Sequence, residues 1–479
     1  MIVPKTDHYA ALYASFQWWV PSRLNIADAC LHRWTENPSD ARKPALYVDN
    51  SAQTPIIYTY QQLSDASKRL SSGLLKMGVQ TGERVAIGIS PESQPFEFIT
   101  ALMAVLGVQA IAVPLAGHLS PAQQRQCLRD AQVRIALADA ACGAALLQSP
   151  SIGGLQIVGL GFAHEHIVPW HTLLARQSTH FMPEPTLAQA QALLCYSSLD
   201  NRLTGQLFTH SALLGSLPGV VCAQNWFVQP GLAHGETMLW SSLDWRSVPG
   251  LLVGLLPSLY LGHTVFAANL SADAALHDAL IRHHVTHLLL DTDRLGALGA
   301  IENAAQSAPS TTSADNPASV RSIALHVDPT TTLPENTPSP FGIAPNIIFS
   351  LPQTCALIGQ ARQKWASQPG SIGRVYPGHL ATVLDERGLP CPAGITGELV
   401  VNRYDVQGHP DPAWSSGVWQ APTGTSNSRS SSHPTSTPAP VLPAVLPASG
   451  RLHTGLPARM NRQGDLWLGS HDDAHITGP

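Results

Sequence analysis

Apolar and polar positions follow two alternating rhythms before giving way to a third. Between residues 61 and 78 apolar residues recur every three to four positions, the stripe of an amphipathic helix. A short apolar run at 84–89 follows as a buried strand, and 96–106 reads as a second helix. Residues 109–115 then read as strand, 121–131 as helix and 133–139 as strand. Strands that alternate with helices are βαβ units, which place the strands parallel in one sheet. A second alternating block begins at Leu193, with helix at 211–220, strand at 264–268, helix at 274–284 and strand at 287–290. Two α/β layers are expected.

The apolar stretch 248–270 is long enough to span a bilayer, but Pro249, Gly250, Gly254, Pro257, Gly262 and His263 interrupt it. It reads as a buried helix leading into a buried strand, and no membrane span is expected. After Gly370 the rhythm changes to short strands such as 381–385 and 397–401, separated by Gly and Pro. The expected fold class is therefore α/β, with two α/β subdomains at about 20–185 and 186–370 and a small β-rich subdomain at 371–479. Residues 421–450 are rich in Pro, Ser and Thr with almost no charge, a composition that reads as a disordered insert. A second polar stretch, 305–318, reads as a long flexible loop.

The chain has 479 residues, 44% hydrophobic and 12% charged, enough apolar material for a large interior. Its formal net charge of -5 gives no clustered basic face, so no nucleic-acid partner is expected. The 7 cysteines are widely spaced with no CxxC pair, which argues against zinc and against a disulfide framework. With an N-terminus lacking a basic start, apolar run and cleavage site, this points to the cytoplasm. Histidines such as His164, His166, His283, His284 and His287 do not form a helical His-Glu-x-x-His site, and Ser197-Ser198 lacks the elbow of a serine hydrolase.

The segment 193–220 carries the most specific pattern. It resembles, without a gap, the phosphate loop of AMP-dependent acyl-CoA synthetases, a Ser-Gly-Thr-Thr-Gly-x-Pro-Lys-Gly core followed by a histidine and a Leu-rich helix. Further matches occur in family order, at 16–21, 241–245, 369–378, 394–399, 454–456 and 464–468. The chain is thus similar to the large N-terminal domain of these adenylate-forming enzymes. That resemblance implies ATP and Mg²⁺ as cofactors, and a carboxylate or acyl ligand. The family's small C-terminal domain is expected to be absent, which makes CoA use unlikely.

The same alignment exposes departures. At the loop's glycines stand Ser198 and Asn201, its threonines are Leu199 and Asp200, and its lysine is Thr204; Ser197 and Gly205 match. An aspartate near a triphosphate would cost roughly 4 kcal/mol at about 4 Å and an effective dielectric of about 20. The family's adenine-side Gly-Gly-Glu-Pro aligns with His326, Val327, Asp328 and Pro329. Its Tyr-Gly-x-Thr-Glu aligns with residues 349–353, so the glutamate that would hold Mg²⁺ becomes Gln353. Its Thr-Gly-Asp becomes Thr454, Gly455 and Leu456, and leucine accepts no hydrogen bond from a ribose. His471 stands where the family has an arginine. The degenerate nucleotide positions are therefore Ser197, Ser198, Thr204, Gly205, Asp328, Gln353 and His471, with no catalytic or metal-ligating residue assigned. For the loop itself, the plain alternative is an ordinary polar strand-to-helix turn.

The acyl-pocket frame survives as Asp244, Trp245 and Gly250, and core packing explains Trp245 equally well. Three readings remain: an impaired, ligand- or partner-binding homologue; an active ligase completed by a separate C-terminal domain; or a regulatory subunit of a full-length synthetase.

Overall fold

The first amphipathic stripe forms the helix Tyr60–Lys76, and its start is fixed by a reciprocal cap. Thr59 Oγ1 accepts from Gln62 N (3.2 Å) while Gln62 Oε1 accepts from Thr59 N (2.8 Å), satisfying two donors that a helix end leaves without partners. The apolar runs on either side become strands because β-branched residues suit a pleated, buried surface. The computed structural model describes residues 7–49, 54–147, 154–183, 185–199, 202–227, 237–270, 272–307, 319–333, 337–419 and 450–469. The insert expected at 421–450 falls outside these apart from Gly450, as do Asp200, Asn201 and His471.

Three sheets organise the chain. The eight-stranded sheet runs in the order Gly417–Val418, Arg202–Thr209, Gln191–Leu199, Ile111–Pro114, Arg84–Gly88, Ile135–Asp139, Gln156–Leu160 and Ile167–Pro169. From Gln191–Leu199 to Ile167–Pro169 every pairing is parallel. The nine-stranded sheet runs Arg374–Val375, Thr354–Gly359, Asn346–Leu351, Ser322–Val327, His287–Leu290, Met238–Ser241, Thr264–Ala268, Pro44–Asp49 and Ile56–Thr59. Its interior pairings, from Asn346–Leu351 to Pro44–Asp49, are parallel too. A third, antiparallel sheet of four strands joins Leu380–Leu384, Thr396–Asn402, Arg451–Met460 and Leu466–Leu468. The mixed α/β class with a small β-rich part matches the sequence expectation.

The sheets exchange strands along the chain. Pro44–Asp49 and Ile56–Thr59 join the sheet built mainly after residue 237, while Gln191–Leu199 and Arg202–Thr209 join the sheet built mainly before residue 170. One continuous core contains Val85 and Ile87 of the eight-stranded sheet, Leu46 and Val265 of the nine-stranded sheet, and residues of the helices Tyr60–Lys76, Pro95–Gly107 and Ala212–Ala223. Burial at about 25 cal/mol per Å² of apolar surface makes this shared interior the main cohesive force between the sheets.

Two local expectations are corrected. The segment 193–220 is not a strand-to-helix turn: Gln191–Leu199 and Arg202–Thr209 pair antiparallel, and the helix starts only at Ala212. The polar stretch 305–318 begins inside the helix Thr292–Ser307, and 308–318 lie outside the described residues. The long apolar stretch forms Gly250–Leu255, a π-helical turn, then the helix Leu256–Tyr260 and the strand Thr264–Ala268. No helix among the described residues is long and apolar enough to cross a membrane.

Candidate functional site

In open parallel sheets, ligands bind outside the carboxyl ends of the strands, where neighbouring connections depart in opposite directions and leave a crevice. Each large sheet has such a point. Arg84–Gly88 lies between Ile111–Pro114 and Ile135–Asp139, and Met238–Ser241 lies between Thr264–Ala268 and His287–Leu290. Their carboxyl ends continue into Ser90 to Glu92 and into Ser242 to Asp244.

These two points are tied together. Asp244 Oδ2 accepts from the backbone N–H of Gly117 (3.1 Å), just beyond Ile111–Pro114. Arg246 bridges the same gap: its Nε donates to Asp244 Oδ1 and its Nη2 to Glu92 Oε1, each at 2.8 Å. The Arg246 side chain is 14% exposed, and those of Asp244 and Glu92 are 25% and 50% exposed. Sequence reading found Asp244 but missed Arg246 and Glu92. A signal existed, since both lie within a few residues of the carboxyl end of a switch-point strand.

Trp245 and Gly250 serve the packing of this corner. Trp245 is buried in the shared core, its ring 6.3 Å from that of Phe98. A Cβ on Gly250 would sit 1.9 Å from the carbonyl oxygen of Asp244, so no larger residue fits there without moving the backbone. Ser247 Oγ donates to that same carbonyl (2.7 Å) and accepts from Gly250 N (3.1 Å), fixing the turn that opens the π-helical segment.

Ser197, Ser198, Thr204 and Gly205 fall on the hairpin. Ser197 pairs with Thr204 and Tyr196 with Gly205. Ser197 is exposed and Ser198 partly buried, its hydroxyl accepting from Gln123 Nε2 (3.0 Å) at the start of the helix Pro121–Asp130. The carbonyl of Gly205 accepts from Trp419 N (2.7 Å), and a Cβ there would meet the Tyr196 ring at 2.9 Å. Successive N–H groups of an extended strand point to opposite sides, whereas a phosphate cradle turns consecutive N–H groups toward one point.

Further along the carboxyl edge, Asp328 follows Ser322–Val327. Its Oδ1 accepts from Thr330 N (2.9 Å), Thr330 Oγ1 (2.7 Å) and Thr331 Oγ1 (2.9 Å). Partial burial raises its pKa, but those hydrogen bonds and the neighbouring His326 outweigh it and leave the net shift downward. His326 is buried, and burial pushes its pKa down to about 4 against the opposing pull of Asp328 and Asp291. Its Nε2 has no hydrogen-bond partner among the described residues.

Asp291, at the carboxyl end of His287–Leu290, accepts from Ser242 Oγ (2.7 Å) and from Arg294 N (2.8 Å). Gln353 sits in the turn between Asn346–Leu351 and Thr354–Gly359, its carbonyl accepting from Ser415 N (2.7 Å). Thr454 to Leu456 lie within the strand Arg451–Met460 of the small sheet, where Thr454 Oγ1 donates to Leu399 O (2.7 Å).

The strand ends thus bring Asp244, Asp328 and Gln353 to one side of their sheet, while Thr454 belongs to a different sheet. Carboxylates dominate this edge. Arg246 is engaged by two of them, Arg294 contacts Asp273, Lys43 pairs with Asp40, and Lys364 lies over the Trp226 ring. Lys68 and Lys76 lie on the helix Tyr60–Lys76. For Mg²⁺, which is held through anionic oxygens, Gln353 offers a neutral amide, and Asp328 Oδ1 already accepts three hydrogen bonds. No group of three His, Cys, Asp or Glu side chains among the described residues could hold a metal ion. At the aligned position Gln353 the anionic oxygen that would hold the ion is therefore missing.

Comparison with known proteins agrees with this architecture. The sequence profile described as AMP-binding enzyme matches residues 33–407. The acetyl-coenzyme A synthetase of Pseudoalteromonas translucida is 27% identical over 208 residues, which cover 39% of this chain and 31% of that protein. Among solved structures, a Brucella canis acyl-CoA synthetase superposes with a TM-score of 0.75 at 17% identity, covering 98% of this chain and 80% of that one. ATP-bound MatB from Rhodopseudomonas palustris gives a TM-score of 0.71 at 19% identity, covering 95% and 80%. The match to the acetyl-coenzyme A synthetase spans about a third of its length. At these identities the structural likeness is one of fold.

Proposed function

This chain belongs to the AMP-binding enzyme family, and from that premise we propose that it is an acyl-CoA synthetase-like protein in which formation of an acyl adenylate is lost or strongly impaired. Its crevice then acts in binding a carboxylate-type ligand or a partner. One observation carries this reading: the segment that would cradle the phosphates is a paired hairpin, Ser197 opposite Thr204, with no lysine in it. Acyl transfer to the α-phosphate gathers negative charge, and each preorganised donor or cation at such a site contributes about 3 kcal/mol to the transition state. The carboxyl edge offers Arg246, already bound to Glu92 and Asp244, together with further carboxylates.

The test is calorimetry of the chain with Mg-ATP, paired with carboxylate-dependent ATP–pyrophosphate exchange using acetate and butyrate. The expected result is no saturable heat at millimolar nucleotide and exchange at background. Exchange at ordinary enzyme rates would falsify the reading.

A further inference from the structure

A cavity of about 280 Å³ opens where three distant parts of the chain meet. Trp18 comes from the N-terminal segment, Thr209 from the end of the strand Arg202–Thr209, and Arg403, His409, Asp411 and Trp414 from the stretch following Thr396–Asn402. Pockets assembled at such junctions are common ligand sites, typically apolar walls with a few placed polar groups.

The walls are preformed. Trp18 is anchored by its Nε1 donating to Gly378 O (2.8 Å) and by edge contact with the His379 ring at 5.7 Å. Trp414 is 5% exposed and held by a β-bridge to Thr354, yet its Nε1 has no acceptor among the described residues. An indole N–H buried without an acceptor costs about 1–3 kcal/mol, so the position of Trp414 is held by its packing and its bridge.

Arg403 brings a guanidinium to the cavity. Arg403 has no side-chain hydrogen bond or ion pair among the described residues, so its planar fork is available for a carboxylate. Asp411 also lines the cavity, with both of its oxygens turned to partners within the chain. Its Oδ2 lies 2.6 Å from the buried His379 Nδ1, and its Oδ1 accepts from Ala413 N (2.8 Å).

We propose that this cavity binds a small aromatic carboxylate, its carboxylate on Arg403 and its ring against the indoles of Trp18 and Trp414. Two tryptophans select a flat π-face, and the guanidinium selects a planar anion. The inference does not depend on whether the crevice forms adenylates.

Tryptophan fluorescence and calorimetry of the full chain with benzoate and 2-naphthoate test it, with benzamide as the uncharged isostere. Both acids should bind saturably and quench fluorescence, and benzamide should bind at least about tenfold more weakly, the effect of one lost charge-assisted contact. Arg403→Gln should weaken the acids by a similar factor and Trp414→Phe by less. Asp244→Asn, in the crevice, should leave binding unchanged. Thermal midpoints matching that of the unsubstituted protein would show that each variant is folded. Absence of saturable binding, indifference to Arg403→Gln in a folded variant, or equal affinity for benzamide overturns the proposal. Loss of binding in folded Asp244→Asn alone assigns the ligand to the crevice and overturns it as well.

Discussion

The ring of Tyr196 lies against the bare Cα of Gly205, its partner across the hairpin. A Cβ built on Gly205 would stand 2.9 Å from Tyr196 Cε1 and 3.0 Å from Leu194 Cδ1. A larger residue here would force the Tyr196 ring to shift, whatever nucleotide role the position suggests. Gly205→Ala is expected to destabilise the protein by about 1–3 kcal/mol, the usual cost of overpacking a filled site. Urea denaturation reads this directly. An unchanged midpoint would mean that the ring moves aside freely.

Arg246 is the clasp between the two switch points, but its partners are partly solvated, which limits the energy of each pair. Arg246→Gln should cost about 1 kcal/mol, and a double-mutant cycle with Glu92→Gln should give a coupling below about 1 kcal/mol that shrinks as salt is raised. A coupling several times larger, insensitive to salt, would show that the clasp is desolvated in solution.

Four buried histidines favour their neutral form in the fold. Burial pushes His210 and His326 down to about 4, and His32 and His287 down to about 3, from an ordinary value of 6.5. Between about pH 6.5 and these lower values the unfolded chain binds protons that the folded chain refuses, so stability rises with pH across that window. The contribution is fully present above pH 6.5 and is lost as pH falls toward 4 and then 3. His210 Nδ1 accepts from Ile26 N (3.1 Å), so His210→Asn should flatten the slope between pH 6.5 and 4. Denaturation midpoints at half-unit pH steps check this, and an unaltered slope rules His210 out as a contributor.

His379 and Asp411 form a pair with no solvent exposure of either side chain. Removing one partner leaves the other buried without its complement. Asp411→Ala is therefore expected to cost about 3–5 kcal/mol, well above the cost of an exposed pair. Thermal unfolding measures it, and a loss below about 1 kcal/mol would mean that water reaches His379 once the carboxylate is gone.

Regular elements were legible in the sequence because their patterns are local: the helix Tyr60–Lys76 carries an apolar stripe and Pro95–Gly107 an almost continuous apolar run. The family was legible because short glycine and proline motifs occur in order over most of the chain. The hairpin was not, although Asp200 and Asn201 between Leu199 and Arg202 are residue types that favour a two-residue connection. Likeness to a glycine loop obscured that signal. The clasp of Glu92, Arg246 and Asp244 was also hidden, since two of its members are separated by over 150 residues and meet only once two sheets have formed. Pairing of Pro44–Asp49 with Thr264–Ala268 is equally invisible to any local pattern.

That last pairing has a kinetic side. During synthesis at about 5–20 residues per second, the strand Pro44–Asp49 emerges on the order of ten seconds or more before Thr264–Ala268 can dock beside it. Until then, the sheet-forming hydrogen-bond groups on that flank of the strand have no permanent partner, and unpaired strand edges attract other chains. Slow translation between these two segments would lengthen the interval, so the yield of folded protein should depend on elongation rate more steeply than for a chain whose strands meet their neighbours in order.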